Sequence, residues 1–365
     1  MGLYWLSTEA RTGRVIADLP NLDVGLVKAV IGRYDTTTAT LPLPGAPVDW
    51  ERATQPGAAV LWLLADNPND SAHGIPLWGG RVTARDLSAD DTIGLSLATV
   101  ESYFDARYVG DVTFAQIGQN TIISNLVASY AVAGSPNGGM PFRVVTSGTD
   151  TLRDRTYQNQ NNTTLYSVMQ DLMGVIGGCE WTTGGEWQVS PERITPVLYV
   201  GSRLGSPVLT GQAPNAVFDM PGPVTQFKYR QDFSTGKGAN LVVASSSGTT
   251  AARPQSAPQT VVDLARPTIE YRWTPSTSIS DVTTLNSYAS AAVAAMDFGT
   301  NAIELTAVIA EAPKLGVDWF IGDDIGFNLV APALPNGLVG TARAIGWQID
   351  ISTTPVITPI LTGNV

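Results

Sequence analysis

Histidine and cysteine are nearly missing from this sequence: its 365 residues hold one His, His73, and one Cys, Cys179. A lone Cys excludes an intrachain disulfide, and one of each leaves too few ligands for a zinc site. His73 is the only residue that could act as the base of a Ser-His-Asp or Cys-His apparatus. It lies in Asn69-Asp70-Ser71-Ala72-His73-Gly74, which reads as a turn, so a surface-loop histidine is expected. Cys179 follows a predicted helix C-terminus, where the dipole raises a thiol pKa, and reads as a buried small apolar residue. Charge is also scarce, at 15% Asp, Glu, Lys and Arg against about 25% in a typical domain. Lysine occurs only at positions 28, 228, 237 and 314. No run of 18 apolar residues is present, so no membrane-spanning helix is expected. The opening Met1-Gly2-Leu3-Tyr4-Trp5-Leu6 lacks a basic region followed by a long apolar stretch, and Leu6 stands where myristoylation needs Ser or Thr. Synthesis in the cytoplasm without a secretion signal is the expectation.

What the chain does contain is turn formers and apolar residues. Gly (36) and Pro (24) make up about one residue in six, and 44% of the chain is hydrophobic. That composition excludes a disordered chain and a coiled coil. The length allows two or three domains. The net charge of −11 is spread along the chain rather than held in a tail, with 21 acids and 15 bases in residues 1–230 and 11 and 6 in the remainder. Sequence-independent phosphate binding needs clustered Lys and Arg, which this balance argues against. A low-charge, turn-rich surface suits a β protein whose faces pack against partners.

Residues 1–105 read as strands and turns, with apolar runs at 24–27, 60–64, 82–85 and 93–97, a spacing that suggests a barrel or sandwich. The three prolines of Leu41-Pro42-Leu43-Pro44-Gly45-Ala46-Pro47 exclude a central strand and predict an extended connector, followed by a helical turn at Asp49-Trp50-Glu51. Helical spacing appears at Ile122, Ile123, Leu126, Val127 and Tyr130, and Ala131 to Gly139 reads as a loop. A second helix is predicted over 163–176, with Leu165, Val168, Met169, Leu172, Met173 and Ile176 on one face. Asn162 or Thr163 caps its start and Gly177-Gly178 its end. Cys179-Glu180-Trp181 and Glu186-Trp187-Gln188-Val189, joined by Thr182-Thr183-Gly184-Gly185, give a hairpin signal. Further strands are expected at 224–228 and 241–244, a mobile loop at Ser245 to Pro258, and a long helix over about 281–298, capped by Ser280 or Asp281 and ended by Gly299. The stripe of that helix should pack on the C-terminal β domain. Strands then follow at 303–308, 324–329, 339–351 and 356–361. The expected fold class is mainly β with an α+β insertion, in three ranges: 1–110, 111–200 and 201–365.

The remaining candidate chemistry is carboxylates. Glu180 and Glu186, each beside a Trp, are the pair a glycosidase would need; both also read as plain strand residues with solvated heads. Asp318, Asp323 and Asp324 cluster before a strand but lack calcium-loop spacing and read as a turn with acidic heads. Gly236-Lys237-Gly238 lacks the upstream Gly and the following Ser or Thr of a phosphate loop. No catalytic, cofactor or metal residue is therefore assigned, and composition favours a structural or binding protein rather than an enzyme.

Residues 152–181 carry a resemblance. Leu152-Arg153-Asp154-Arg155-Thr156-Tyr157, then the helix, then Gly177-Gly178-Cys179-Glu180-Trp181, is similar to a pattern in minor tail proteins of actinobacterial siphophages. The opening strands with Leu41-Pro42-Leu43 and the Trp50 turn agree with it. So does the closing order of helix, strand, Gly322-Asp323-Asp324-Ile325 and final strand pair. That order resembles the second barrel of the tail-tip hub family, which includes contractile-phage baseplate hubs and type VI secretion spikes. The resemblance implies a structural virion protein with two hub-type β-barrels, 1–110 and 201–365, and a small α+β domain, 111–200, at the periphery or toward the tip. It implies a homotrimeric ring at the tail tip that contacts the distal tail protein, the tape-measure protein and fibre or receptor-binding proteins. DNA passes during ejection without specific binding, and no membrane insertion is implied. Such a lumen should be acidic or uncharged, with Lys28, Lys228, Lys237 and Lys314 facing outward or into subunit contacts. The alternatives are a hexameric distal tail ring and a tail-associated cell-wall hydrolase using Glu180 or Glu186.

Overall fold

The computed structural model describes residues 2–133, 137–175, 177–247, 253–277, 279–351 and 353–362. The chain is mainly β, with twenty-one strands and four α-helices among the described residues. It divides into two compact units, Met1–Gln226 with Leu305–Ile360, and Phe227–Glu304 with Leu361–Val365. Each unit draws together parts of the chain that are distant in sequence.

In the first unit, a six-stranded antiparallel sheet runs in the order Val15–Asp18, Leu3–Glu9, Ala59–Asn67, Asp70–Leu87, Thr92–Thr99, Thr36–Pro42. Ala59 to Ala65 are all buried, the continuous apolar run of a central strand covered on both faces. Leu41 and Pro42 belong to Thr36–Pro42 at the sheet edge, where a missing ladder donor is tolerated; the expected connector therefore begins only at Leu43. The turn expected around His73 lies elsewhere. Asn67 pairs with Asp70, and their carbonyl and carboxylate oxygens accept the Asn69 and Ala72 N–H groups. This closes the hairpin early and leaves His73 in the returning strand.

Leu26–Val30 leaves its neighbours in sequence and pairs antiparallel with Gly346 to Asp350 of Leu334–Asp350. It thereby joins a seven-stranded sheet otherwise built from Val217–Met220, Asp324–Ala331, Leu334–Asp350, Val356–Thr362, Thr300–Val308 and Val224–Asp232. Gly346 permits the crossing, since a Cβ there would lie 2.5 Å from the Ala29 carbonyl oxygen.

Residues 111–200 supply the helix Gln119–Leu126, continued by a π-helical turn Val127–Val132, the helix Leu165–Met173, and a three-stranded sheet of Glu180–Val189, Glu192–Gly201 and Arg143–Ser147. Val112–Gly118 pairs separately with Leu152–Tyr157. The core of this segment is continuous with that of the N-terminal strands: Trp62, Leu64 and Phe104 are in one buried cluster with Leu126, Leu172 and Trp181. Leu165, Val168, Met169 and Leu172 are fully buried, as their spacing predicts. The helix cap is Thr164, whose side chain accepts the Ser167 N–H, rather than Asn162 or Thr163. Asn162 instead takes a left-handed conformation ending a 3₁₀ turn. Ile176 and part of the Ala131 to Gly139 loop lie outside the described residues.

The hairpin expected across Thr182-Thr183-Gly184-Gly185 is a correction. Glu180–Val189 is one unbroken strand, and its return turn falls at Ser190-Pro191. The glycines serve packing rather than turning. A Cβ on Gly185 would lie 2.7 Å from the Trp62 ring and 2.8 Å from Pro76 Cβ, so Gly lets the strand approach the six-stranded sheet closely.

In the second unit, Leu241–Ala244 pairs with Gln259–Thr260 and, in parallel, with Glu270–Trp273. The helix Val282–Met296 is capped by Asp281, which accepts the Thr283 and Thr284 N–H groups. Leu285, Ala289 and Val293 pack on Val242 and Ala244, so the stripe covers this small sheet, which lies within the expected range 201–365. The predicted mobile loop Ser245 to Pro258 lies partly outside the described residues; at its ends Ser246 N–H donates to the Pro254 carbonyl and Ser256 N–H to the Ala244 carbonyl.

Leu285→Ala should lower stability by about 2–5 kcal/mol and Ser290→Ala by less than about 0.5 kcal/mol, as read from urea unfolding. Gly185→Ala should cost about 1–3 kcal/mol by overpacking against Trp62, checked in the same assay.

Candidate functional site

The strand pairing of the three-stranded sheet aligns Thr182, Tyr199 and Val145 in one row. Trp181 and Leu198, on the opposite face, enter the core. The Thr182 row floors a cleft of about 430 Å³ in the first unit, walled by Ile75 to Leu77, the Leu204 to Ser206 turn, Leu315, Phe320 and Trp347. Burial pushes the Tyr199 phenol up, and the Glu186 charge adds to this.

A hydrogen-bonded frame holds the rim. Arg343 Nη1 donates to Glu180 Oε1 at 2.7 Å and Nη2 to Oε2 at 2.5 Å, while Nη2 also donates to the Leu204 carbonyl at 2.9 Å. Leu204 N–H returns a 2.8 Å bond to Glu180 Oε2. Asp323 accepts the Ser206 and Phe320 N–H groups at 2.6 and 2.8 Å. Asp324 accepts Arg203 at 2.6 Å and the Val208 N–H at 2.9 Å. Each carboxylate is thus committed to holding a turn.

This frame decides the roles of the residues picked out by sequence. Burial pushes the Glu180 carboxyl up, but the Arg343 and Leu204 bonds outweigh it and hold the group below its ordinary value. Glu186 pairs with Arg143 at 2.7 Å. Six residues apart in one strand, the two Glu lie roughly 20 Å apart, far beyond the spacing of a glycosidase pair. Asp318 accepts the Lys314 N–H at 2.7 Å, so it too fastens a turn. His73 is not a surface-loop residue: its side chain is 17% exposed, with Nδ1 2.9 Å from Asp70 and the ring 4.9 Å from that of Trp187. Trp187 Nε1–H donates to the Gly74 carbonyl at 2.6 Å, which ties the two hairpins together. Cys179 is buried, and burial pushes its thiol up to about 11. Lys237 ends a turn whose N–H bonds the Ser234 carbonyl. Among the described residues, no group of three His, Cys, Asp or Glu side chains converges as metal ligands. The sequence reading missed Arg343, Arg203 and Tyr199; Arg343 meets Glu180 across 163 residues, a separation at which no local pattern carries a signal.

No family model and no curated protein matches the sequence. Solved structures do match in fold. The 43 kDa tail protein of prophage MuSo2 from Shewanella oneidensis superposes with a TM-score of 0.59 at 9% identity, over 99% of this chain and 98% of that one. The chain has the fold of a phage tail protein. The tail protein from Neisseria meningitidis MC58 agrees, with a TM-score of 0.53 at 11% identity, over 99% and 97% of the two chains. A chain of the lidded Francisella PdpA–VgrG complex gives 0.56 at 9% identity, covering 98% of this chain but 52% of that one. The expected resemblance to tail proteins thus holds at the level of fold, while nothing in the comparisons bears on an actinobacterial source.

Glu180→Gln should cost about 2–4 kcal/mol at pH 7 by leaving Arg343 without its charge partner. The depressed Glu180 pKa makes this contribution complete above the ordinary value of 4.5, and it is lost as pH falls through the lower folded value. Urea unfolding of wild type and variant should therefore differ at pH 7 and converge in acid.

Proposed function

We propose that this chain is a structural virion protein that forms a homotrimeric ring at the phage tail tip, a baseplate hub. The observation that carries the reading is the end-to-end match to a phage tail protein, 99% of one chain against 98% of the other. In this reading each chain supplies two barrel units, drawn mainly from 1–110 and 201–365, with Leu26–Val30 serving the second. The segment 111–200 lies toward the periphery or tip. Six similar units then alternate around the ring and adapt a sixfold tail to a threefold tip.

In this reading the ring packs against neighbouring virion proteins. Those neighbours are the distal tail protein, the tape-measure protein and fibre or receptor-binding proteins. DNA crosses the lumen without specific binding. Lys28 lies 3.9 Å from Asp35 and Lys228 3.9 Å from Glu304, so neither adds an unopposed positive charge to hold phosphate.

Cryo-EM class averages of the purified chain should show threefold symmetry. A sixfold ring of six copies would favour the hexameric distal tail ring instead. Incubation with host cell wall should release no sugar or peptide; release abolished by Glu180→Gln would overturn the structural assignment in favour of a hydrolase.

A further inference from the structure

We propose that Glu101 is a proton-operated latch between the six-stranded sheet and the strand Glu180–Val189: the seam is closed while its carboxyl is protonated and opens to water when the carboxyl ionises. The latch belongs to the single chain and does not depend on the ring.

Glu101 lies in the 3₁₀ turn Val100–Ala106, which follows the strand Thr92–Thr99 directly. The turn packs on the strands Asp70–Leu87 and Glu180–Val189 and on the helix Leu165–Met173. Glu101 is 4% exposed. The Thr99 and Thr183 hydroxyls and the Thr183 N–H bond its carboxyl, but Oε2 has no hydrogen-bond partner. A charged carboxylate offers about four acceptor sites, and leaving them unmet in the interior is costly. The cavity at the carboxyl, lined by Trp62, Trp78, Thr183 and Gly184, measures about 10 Å³. That is room for one water at most, so the closed seam cannot hydrate a charge.

The elements around the turn supply no counter-charge. Thr92–Thr99 holds no titratable side chain. On Asp70–Leu87, Arg81 donates to Ser102 Oγ at 3.2 Å and lies 5.3 Å over the Tyr103 ring, while Arg85 donates to the Glu51 carbonyl. Glu180 and Glu186 stand an odd number of residues from Thr183 and project from the other face of their strand. From the helix comes Tyr166, a neutral phenol that the Glu101 charge helps to push up. Asp105, in the same turn, accepts the Thr164 hydroxyl at 3.0 Å. Lys28, next to the cavity-lining Ala29, is paired with Asp35 at 3.9 Å. Burial therefore outweighs the hydroxyl bonds and pushes the Glu101 carboxyl up.

The sign of the pH effect follows. With the folded value raised, the contribution of Glu101 to the closed seam is complete below the ordinary value of 4.5 and is lost as pH rises through the folded value. Opening returns the carboxyl to water and to its ordinary acidity, so each opening above that value releases one proton. Thr183 and Gly184 also line the neighbouring cleft, so ionisation loosens the floor of that cleft.

The test is hydrogen exchange of the full chain, read by mass spectrometry from about pH 5 to about pH 8 on peptides covering residues 99–104 and 181–185. After correction for the intrinsic exchange rate, wild-type protection should fall with a slope approaching about tenfold per pH unit, that of one proton released on opening. Glu101→Gln keeps the shape without the titration and should hold its protection within about twofold over the same range. Equal falls in both proteins, or no fall in wild type, overturn the latch. Should Glu101→Gln fail to fold, the infrared spectrum of wild type decides. A protonated-carboxyl stretching band should persist at about pH 6, above the ordinary carboxyl range, and vanish over the interval in which seam protection falls. Absence of that band overturns the latch.

Discussion

The ladder between Leu26–Val30 and Gly346 to Asp350 is the constraint on which the rest of the first unit depends. Its register fixes five residue pairs across more than 300 residues of chain. It is extended at both ends, by Ile31 N–H to the Ile345 carbonyl and Ile351 N–H to the Gly25 carbonyl, both 2.9 Å. Trp78 Nε1–H, from the six-stranded sheet, donates to the Lys28 carbonyl, and the next turn reaches the three-stranded sheet through Gly32 N–H to the Trp181 carbonyl at 2.8 Å. One short strand thus binds together three pieces of sheet that are remote in sequence. The entropic cost of closing so long a loop grows only logarithmically with its length, so a few well-packed pairs suffice.

A second set of contacts holds the turns between those sheets. With only 15% charged residues, the chain spends its carboxylates locally. Glu180, Asp323 and Asp324 all grip backbone N–H groups in the 203–208 turn or beside it. The Arg343–Glu180 bond is a charge-assisted, two-pronged contact, stronger and more directional than a neutral hydrogen bond. This use of acids explains why a carboxylate cluster that suggests catalysis in the sequence has no free carboxylate geometry in the fold. It also leaves the cleft beside it apolar.

Glycine had two different meanings in one sequence. Gly177 has the left-handed φ of +67° that an apolar stripe followed by Gly-Gly implied, but the helix ends before it, at Met173, with Gly174 as the C-cap. Gly184 and Gly185 looked like a turn because two glycines between apolar runs usually are one. They lie inside a strand because the Trp62 ring and Pro76 leave no room for a Cβ at Gly185. The crowding atoms come from residues more than 100 positions away, so no window of sequence contains them. The same holds for His73: its neighbours Asp70 and Ala72 were visible, but Trp187 was not, and the hairpin register decided its burial.

What the sequence determined by itself was local: the β texture, the two helices expected near 163–176 and 281–298, a cap at Ser280 or Asp281 for the second, and the exclusion of an intrachain disulfide by a single cysteine. These follow from periodicity, capping and residue counts, which act over a few residues or over composition alone. The tail-protein resemblance also lay in a local pattern, residues 152–181. Only the tertiary structure decided which strands share a sheet, which carboxylate meets Arg343, that residues 111–200 share a core with the N-terminal strands, and that a cleft opens above Thr182. The physical reason is the nature of those contacts. Strand pairing and ion pairs join groups by distance in space, and the backbone hydrogen bonds that make the ladder are the same for every residue type, so the sequence carries no label for its partner strand.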